Sequence, residues 1–362
     1  MHILKQLWFR SLRRAREEYE ETQEEIEQGS PVFRFAVYGV IIYLCLSILV
    51  GIYWSFSPTP LNLDKTIQSV VNDFELSTNS PLPAGVATSS ALIAVTETLW
   101  KKPGGYITND IFPPGIWLDN MPSWEWGVLL QVRDTTQVLR SSFSQSPVGM
   151  QLDVDLQKAE VRFNFSKNSW VFPATESEYL AGVEYLQKYR ARLIKGEDED
   201  AHFYVDASHL DNYLGTVEQR LKNLSQRLTA SIGPSVNTDA AAMAVDQVNL
   251  TGRTNGLYTK TPWHQLDDVF YEARGSSWAL IALMQGVQID YSRVLKNKNA
   301  QASYEQIIRE LQPTQQTVYS PVILNGAGFG FVANHSLAMA SYLARAQAAI
   351  VDCRRQLANP SL

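Results

Sequence analysis

Residues 35–56, FAVYGVIIYLCLSILVGIYWSF, run for 22 positions without one charged side chain. As a helix rising ~1.5 Å per residue the run is ~33 Å long, enough to cross a hydrocarbon core of ~30 Å. In lipid it has to be helical, because nothing there replaces a missing backbone hydrogen bond. The run therefore predicts a single transmembrane helix, with the lipid bilayer as its first partner. It divides the chain into a cytoplasmic amphipathic and charged helix (1–32), the anchor (33–57) and a large outer domain (58–362).

Charge sets the orientation. Arg13, Arg14, Arg16 and Arg34 precede the run, whereas residues 57–74 carry only Lys65. Positive charge stays on the cytoplasmic side, so the N-terminus is expected inside and the bulk outside. The seven glutamates between Glu17 and Glu27 weigh little in this rule. Phe33, Phe35, Tyr53 and Trp54 mark the two ends, as rings do at an interface. A cleaved signal peptide would have an apolar core of roughly 7–15 residues after a short basic start. Here the core is longer and follows a 34-residue leader, so an uncleaved anchor is expected. Ser47 and Gly51 form a small-xxx-small pair that could seat a second membrane helix, although lipid-facing filler is the plainer reading.

Residues 1–30 contain no proline and only Gly29, and their apolar positions recur in threes and fours. Leu4, Leu7, Trp8 and Leu12 alternate with five basic residues, which suits an anionic membrane surface. The following EEYEETQEEIE would be repelled by that surface. A solvated juxtamembrane helix is the plainer reading, and a docking handle the functional one.

Six of the 31 basic and seven of the 37 acidic residues precede the run, leaving 25 and 30 for the outer domain. That balance offers no basic footprint for nucleic acid. Only Cys45 and Cys353 are present, on different levels of the molecule, so packing alone must hold the domain together. The pattern is mainly α. Leu210, Leu214, Val217, Leu221, Leu224 and Leu228 form one seam, which Ser208 would cap. Residues 263–295 alternate threes and fours without a break, predicting a long helix with a narrow seam. Helices are also expected over 86–101, 176–195 and 336–357, the last alanine-rich with Arg354 and Arg355 near its end. Together these predict a helical bundle with at most a small β-hairpin, at 160–172, where aromatics alternate with polar residues.

Three stretches resemble one known family: KPGGYITNDIFPPGIWLDNMPSWEWGVLLQVRD (102–134), RFNFSKNSWVFPATESEY (162–179) and NLSQRLTASIG (223–233). They are similar to DUF2333, a family of uncharacterised bacterial proteins found mainly in proteobacteria. The resemblance spans nearly all of the chain after the anchor. It implies an inner-membrane protein of a Gram-negative cell, with the outer domain in the periplasm, and it brings no activity or catalytic residue.

The densest unusual chemistry lies in 112–127. Trp117, Asp119, Trp124, Glu125 and Trp126 could line a groove for sugar or peptide, since indoles stack and carboxylates accept hydrogen bonds. Packing inside the bundle is the plainer role for such rings. Paired carboxylates for glycoside chemistry could be drawn from Glu97, Asp110, Asp119 and Glu125, but a chain with 37 acidic residues offers many pairs. The five histidines have no metal-binding spacing, no G-x-S-x-G elbow occurs, and GAGFG (326–330) fits a phosphate cradle poorly. No catalytic residue, metal site or cofactor is therefore assigned. The sequence favours a non-enzymatic scaffold or adaptor with protein partners in the envelope, and homo-oligomerisation stays open. The alternatives are a hydrolase or transferase acting on envelope glycan or lipid, and a periplasmic ligand sensor.

Overall fold

The structure is a computed structural model describing residues 16, 31–76, 81–145, 152–196, 201–229, 265–318, 323 and 335–359. The charged arm apart from Arg16, the loops at 232–239 and 249–262, and GAGFG lie outside the described residues. The first helix, α1, is the apolar run at Pro31–Trp54. After it come α2 (Leu63–Asp73), α3 (Val86–Lys101), α4 (Asn120–Val138) and α5 (Val154–Phe163). Next are α6 (Thr175–Lys195), α7 (Ala207–Thr229), α8 (Leu266–Asp290) and α9 (Ser292–Asn297). The last two are α10 (Gln301–Leu311) and α11 (His335–Ala358). Among the described residues there is no strand.

The hairpin expected at 160–172 is absent. Those residues complete α5 and then form a turn-rich loop. Asp153 starts α5 by accepting from the Asp155 and Leu156 amides, and Leu156, Ala159 and Phe163 share its buried face. That spacing is helical. It is hidden when the pattern is read only from residue 160 onward, where half of the helix is already past.

α8 is the centre of the bundle, packed against α4 and α3. The narrow seam predicted for it is too narrow. From Glu272 to Met284 every residue is buried, including Arg274, Gly275, Ser276 and Ser277. Small residues let neighbours reach all sides of a helix, which is how a core helix differs from a coiled-coil strand. The closest approach is to α4. A β-carbon at Gly127 would lie 2.0 Å from the Glu272 carbonyl oxygen, and one at Gly275 would lie 2.0 Å from that of Trp124. Ser276 Oγ also donates to the Gly127 carbonyl at 3.0 Å. Beside the crossing, the Trp124 and Trp278 rings meet at 5.2 Å.

α7 buries the whole predicted seam, Leu210 to Leu228, against α11. Its cap falls two residues before the expected Ser208. Asp206 does the capping, accepting from the Ser208 amide at 2.8 Å. Those hydrogen bonds hold its carboxyl below the usual range. Arg354 of α11 does more than complement a helix dipole, since it pairs with Asp211 and Glu218 of α7 at 2.7 and 2.6 Å.

Asp290, at the end of α8, serves the first turn of α3, accepting from the Thr88 amide at 2.8 Å and its hydroxyl at 2.6 Å. Burial pushes this carboxyl up to about 6, against the lowering effect of the Thr88 hydrogen bonds. A carboxyl raised above its unfolded value of roughly 4 holds its proton more readily in the folded chain, so stability rises as pH falls from about 6 to about 4. Asp290→Asn removes this dependence. Urea unfolding of both proteins across that window should show the wild type gaining on the variant as pH drops. A rise from roughly 4 to about 6 corresponds to at most about 3 kcal/mol, and the residue's partial exposure lowers that further. Parallel pH curves would show that the carboxylate is adequately solvated.

Candidate functional site

After α3 the chain turns through Gly104 and Gly105, both at positive φ (85° and 68°). Glycine is required at 104 for a second reason, since a β-carbon there would sit 2.7 Å from the Trp54 ring. Next to this turn, Lys102 Nζ and Glu125 Oε1 lie 2.7 Å apart with both side chains fully buried. Glu125 also accepts from the amides of Ile107 (2.9 Å) and Thr108 (2.8 Å). Lys102 donates in turn to the Gly105 carbonyl. One helix carboxylate thus fixes the whole stretch 102–108. An ion pair this dry is tolerated because backbone groups add hydrogen bonds to both partners.

The fixed stretch is joined to a second loop. Tyr106 Oη donates to the Lys167 carbonyl at 3.0 Å. Asn109 Nδ2 reaches the Ser169 carbonyl (3.0 Å) and Glu176 of α6 (2.9 Å). Thr175 closes the second loop on itself through Ser166 and Ser169. Loops 110–118 and 166–174 therefore rise from one common base. At their tips the Phe112 and Trp170 rings meet edge-on at 6.2 Å.

The first loop also meets α1. Of the 24 residues of α1, only Ser47 and Gly51 are buried. A β-carbon at Gly51 would touch Pro114 at 3.3 Å and Leu118 at 3.9 Å, and Tyr43 Oη donates to the Pro113 carbonyl at 3.0 Å. Gly51 of the small-xxx-small pair therefore packs on this chain's own loop, and Ser47 is buried as well.

The five residues singled out from the sequence take three kinds of place. Trp124 and Glu125 are fully buried. Trp126 is half-buried, with Lys167 Nζ 4.3 Å and Arg133 Cζ 5.2 Å from its ring centroid. Such cations favour an indole face. Burial pushes the Lys167 ammonium down, against the pull of Glu272. Trp117 and Asp119 are exposed, the first on a tight turn at Gly115–Trp117 and the second as the cap of α4. Burial also pushes Asp110 up, with Glu125 and Glu176 adding to it. Sequence reading passed over Lys102 and Thr108, which complete the clamp around Glu125. It also passed over Phe112, Trp170 and Phe172, the exposed tips. A wider cleft of about 570 Å³, lined by Leu82, Val205, Asp290 and Arg293, lies elsewhere. Among the described residues no cluster of three or more His, Cys, Asp or Glu is arranged for a metal ion.

No curated protein and no solved structure matches the chain. A family model described as an uncharacterized protein conserved in bacteria, DUF2333, matches residues 27–359, and the chain belongs to that family.

Proposed function

We propose that this protein is a single-pass protein of a bacterial inner membrane, with its N-terminus in the cytoplasm and its helical domain in the periplasm. There it acts as a non-enzymatic scaffold or adaptor in an envelope assembly. The observation that carries the anchor is the bare surface of α1: a mostly apolar helix of 24 residues, of which only Ser47 and Gly51 are buried. A core helix of a soluble protein would be mostly enclosed. The arginines before α1 support the orientation. The scaffold reading draws support from the fate of the carboxylates in the tryptophan-rich run. Glu125 is fully engaged with Lys102 and the 107–108 backbone, and Asp119 holds the Asn120 amide. A glycan-handling groove would have to be built on Trp117 and Asp119, the two that reach the surface.

Alkaline phosphatase fused to the C-terminus should be active, a GFP fusion at the same end should stay dark, and the chain should need detergent for extraction. The reverse pattern removes the topology. Crosslinking in intact cells should yield adducts larger than the monomer. Recovery of the monomer alone under several crosslinkers removes the scaffold.

A further inference from the structure

Beyond Phe56, four Phe, Trp or Tyr side chains among the described residues are exposed, and all four sit on the paired loops: Phe112, Trp117, Trp170 and Phe172. The ring of Phe172 is almost wholly bare, at 98% exposure, and Ile116 and Val171 extend the patch. Residues 111–118 and 168–175 carry no charge. A patch of this kind on a single-chain protein marks something that covers it.

The position of the patch along α1 identifies the cover. Pro113 meets Tyr43, which lies eleven residues before Trp54. At ~1.5 Å per residue that is ~16 Å back from the outer end of the helix, about half of a ~30 Å apolar layer. A loop held there can only be in the layer that surrounds the helix. Irregular backbone is costly in lipid unless its polar groups are satisfied. Here Pro113 and Pro114 have no amide hydrogen. The carbonyls of Phe112, Pro114 and Gly115 accept from the amides of Ile116, Trp117 and Leu118, and that of Pro113 accepts from Tyr43.

We propose that the paired loops enter the outer leaflet beside α1, with acyl chains of the bilayer covering their aromatic tips. This rests on α1 spanning the membrane. The domain is thus a monotopic as well as an anchored body, and its attachment has three points of entry.

The test uses the full chain in vesicles of phosphatidylethanolamine and phosphatidylglycerol. A nitroxide is placed on native Cys45, or, in a Cys45→Ser background, on Phe112→Cys, Phe172→Cys or the exposed α11 position Val351→Cys. Cys353 is buried, with its thiol pushed up to about 12, and is left in place. Collision with oxygen should exceed collision with a water-soluble nickel chelate at positions 45, 112 and 172, and the order should reverse at 351. Nickel preference at 112 or 172 with oxygen preference at 45 overturns the loop insertion and leaves the anchor. Nickel preference at 45 as well overturns both. Exclusion of both reagents at 112 and 172 means that protein, not lipid, covers the loops, and also overturns the proposal.

Discussion

Glu125→Ala is expected to cost about 3–5 kcal/mol of folding stability, the usual penalty for stranding one member of a buried ion pair. The carboxylate has no water to be replaced by. Its removal leaves the Lys102 ammonium enclosed with one carbonyl, Gly105, and strips the acceptor from the Ile107 and Thr108 amides. Glu125→Gln keeps one acceptor oxygen and should fall between the two. A paired change, Lys102→Met with Glu125→Leu, should recover part of the loss, since the stranded ammonium is removed with its partner. Recovery should stay incomplete, because the two amides remain unpaired at roughly 1–3 kcal/mol each. Urea unfolding followed by circular dichroism in mild detergent provides the measurement. A loss under about 1 kcal/mol for Glu125→Ala would show that solvent reaches the pair.

Gly275→Ala should be comparably severe, at about 3 kcal/mol or more, the upper part of the range for overpacking. The added methyl would meet the backbone oxygen of Trp124, which has no rotamer to escape into. α4 and α8 must move apart, and the Ser276 bond to Gly127 and the Trp124–Trp278 contact lie in the path of that movement. Gly127→Ala acts on the same crossing from the other helix. Combining the two should therefore cost clearly less than the sum, because the first methyl has already opened the gap. Gly39→Ala, with nothing within 4 Å of the added carbon, is the control and should be neutral or slightly stabilising. Additive losses would show that the two glycines act independently.

The helices were legible because their signal is local. The 4-3-4-3-4 leucine spacing of α7 and the uninterrupted pattern around α8 need only the 3.6-residue period to be read. What was illegible depends on residues far apart. Nothing in the neighbourhood of Glu125 announces that its partner is Lys102 in a different element, or that their shared task is to shape the loop between. Gly127 and Gly275 look like weak points in two helices until the helices are crossed. The error at 160–172 had another origin. Phe163 and Phe165 alternate across a helix end, and alternation over so short a stretch fits either period. As for the five candidate residues, burial sorted them by neighbours that composition could not supply.

The junction between α1 and the rest of the molecule is stiff. Eight residues separate α1 from α2, and within them the Thr59 carbonyl is held by Trp278 Nε1 at 3.0 Å. Trp54 lies on Gly104, and Tyr43 on Pro113. A flexible leash would let the helical body swing freely about the end of α1. This attachment behaves instead like a bracket, holding the helical body at one fixed angle to α1. It also turns any sideways pull on the body into a tilt of the helix.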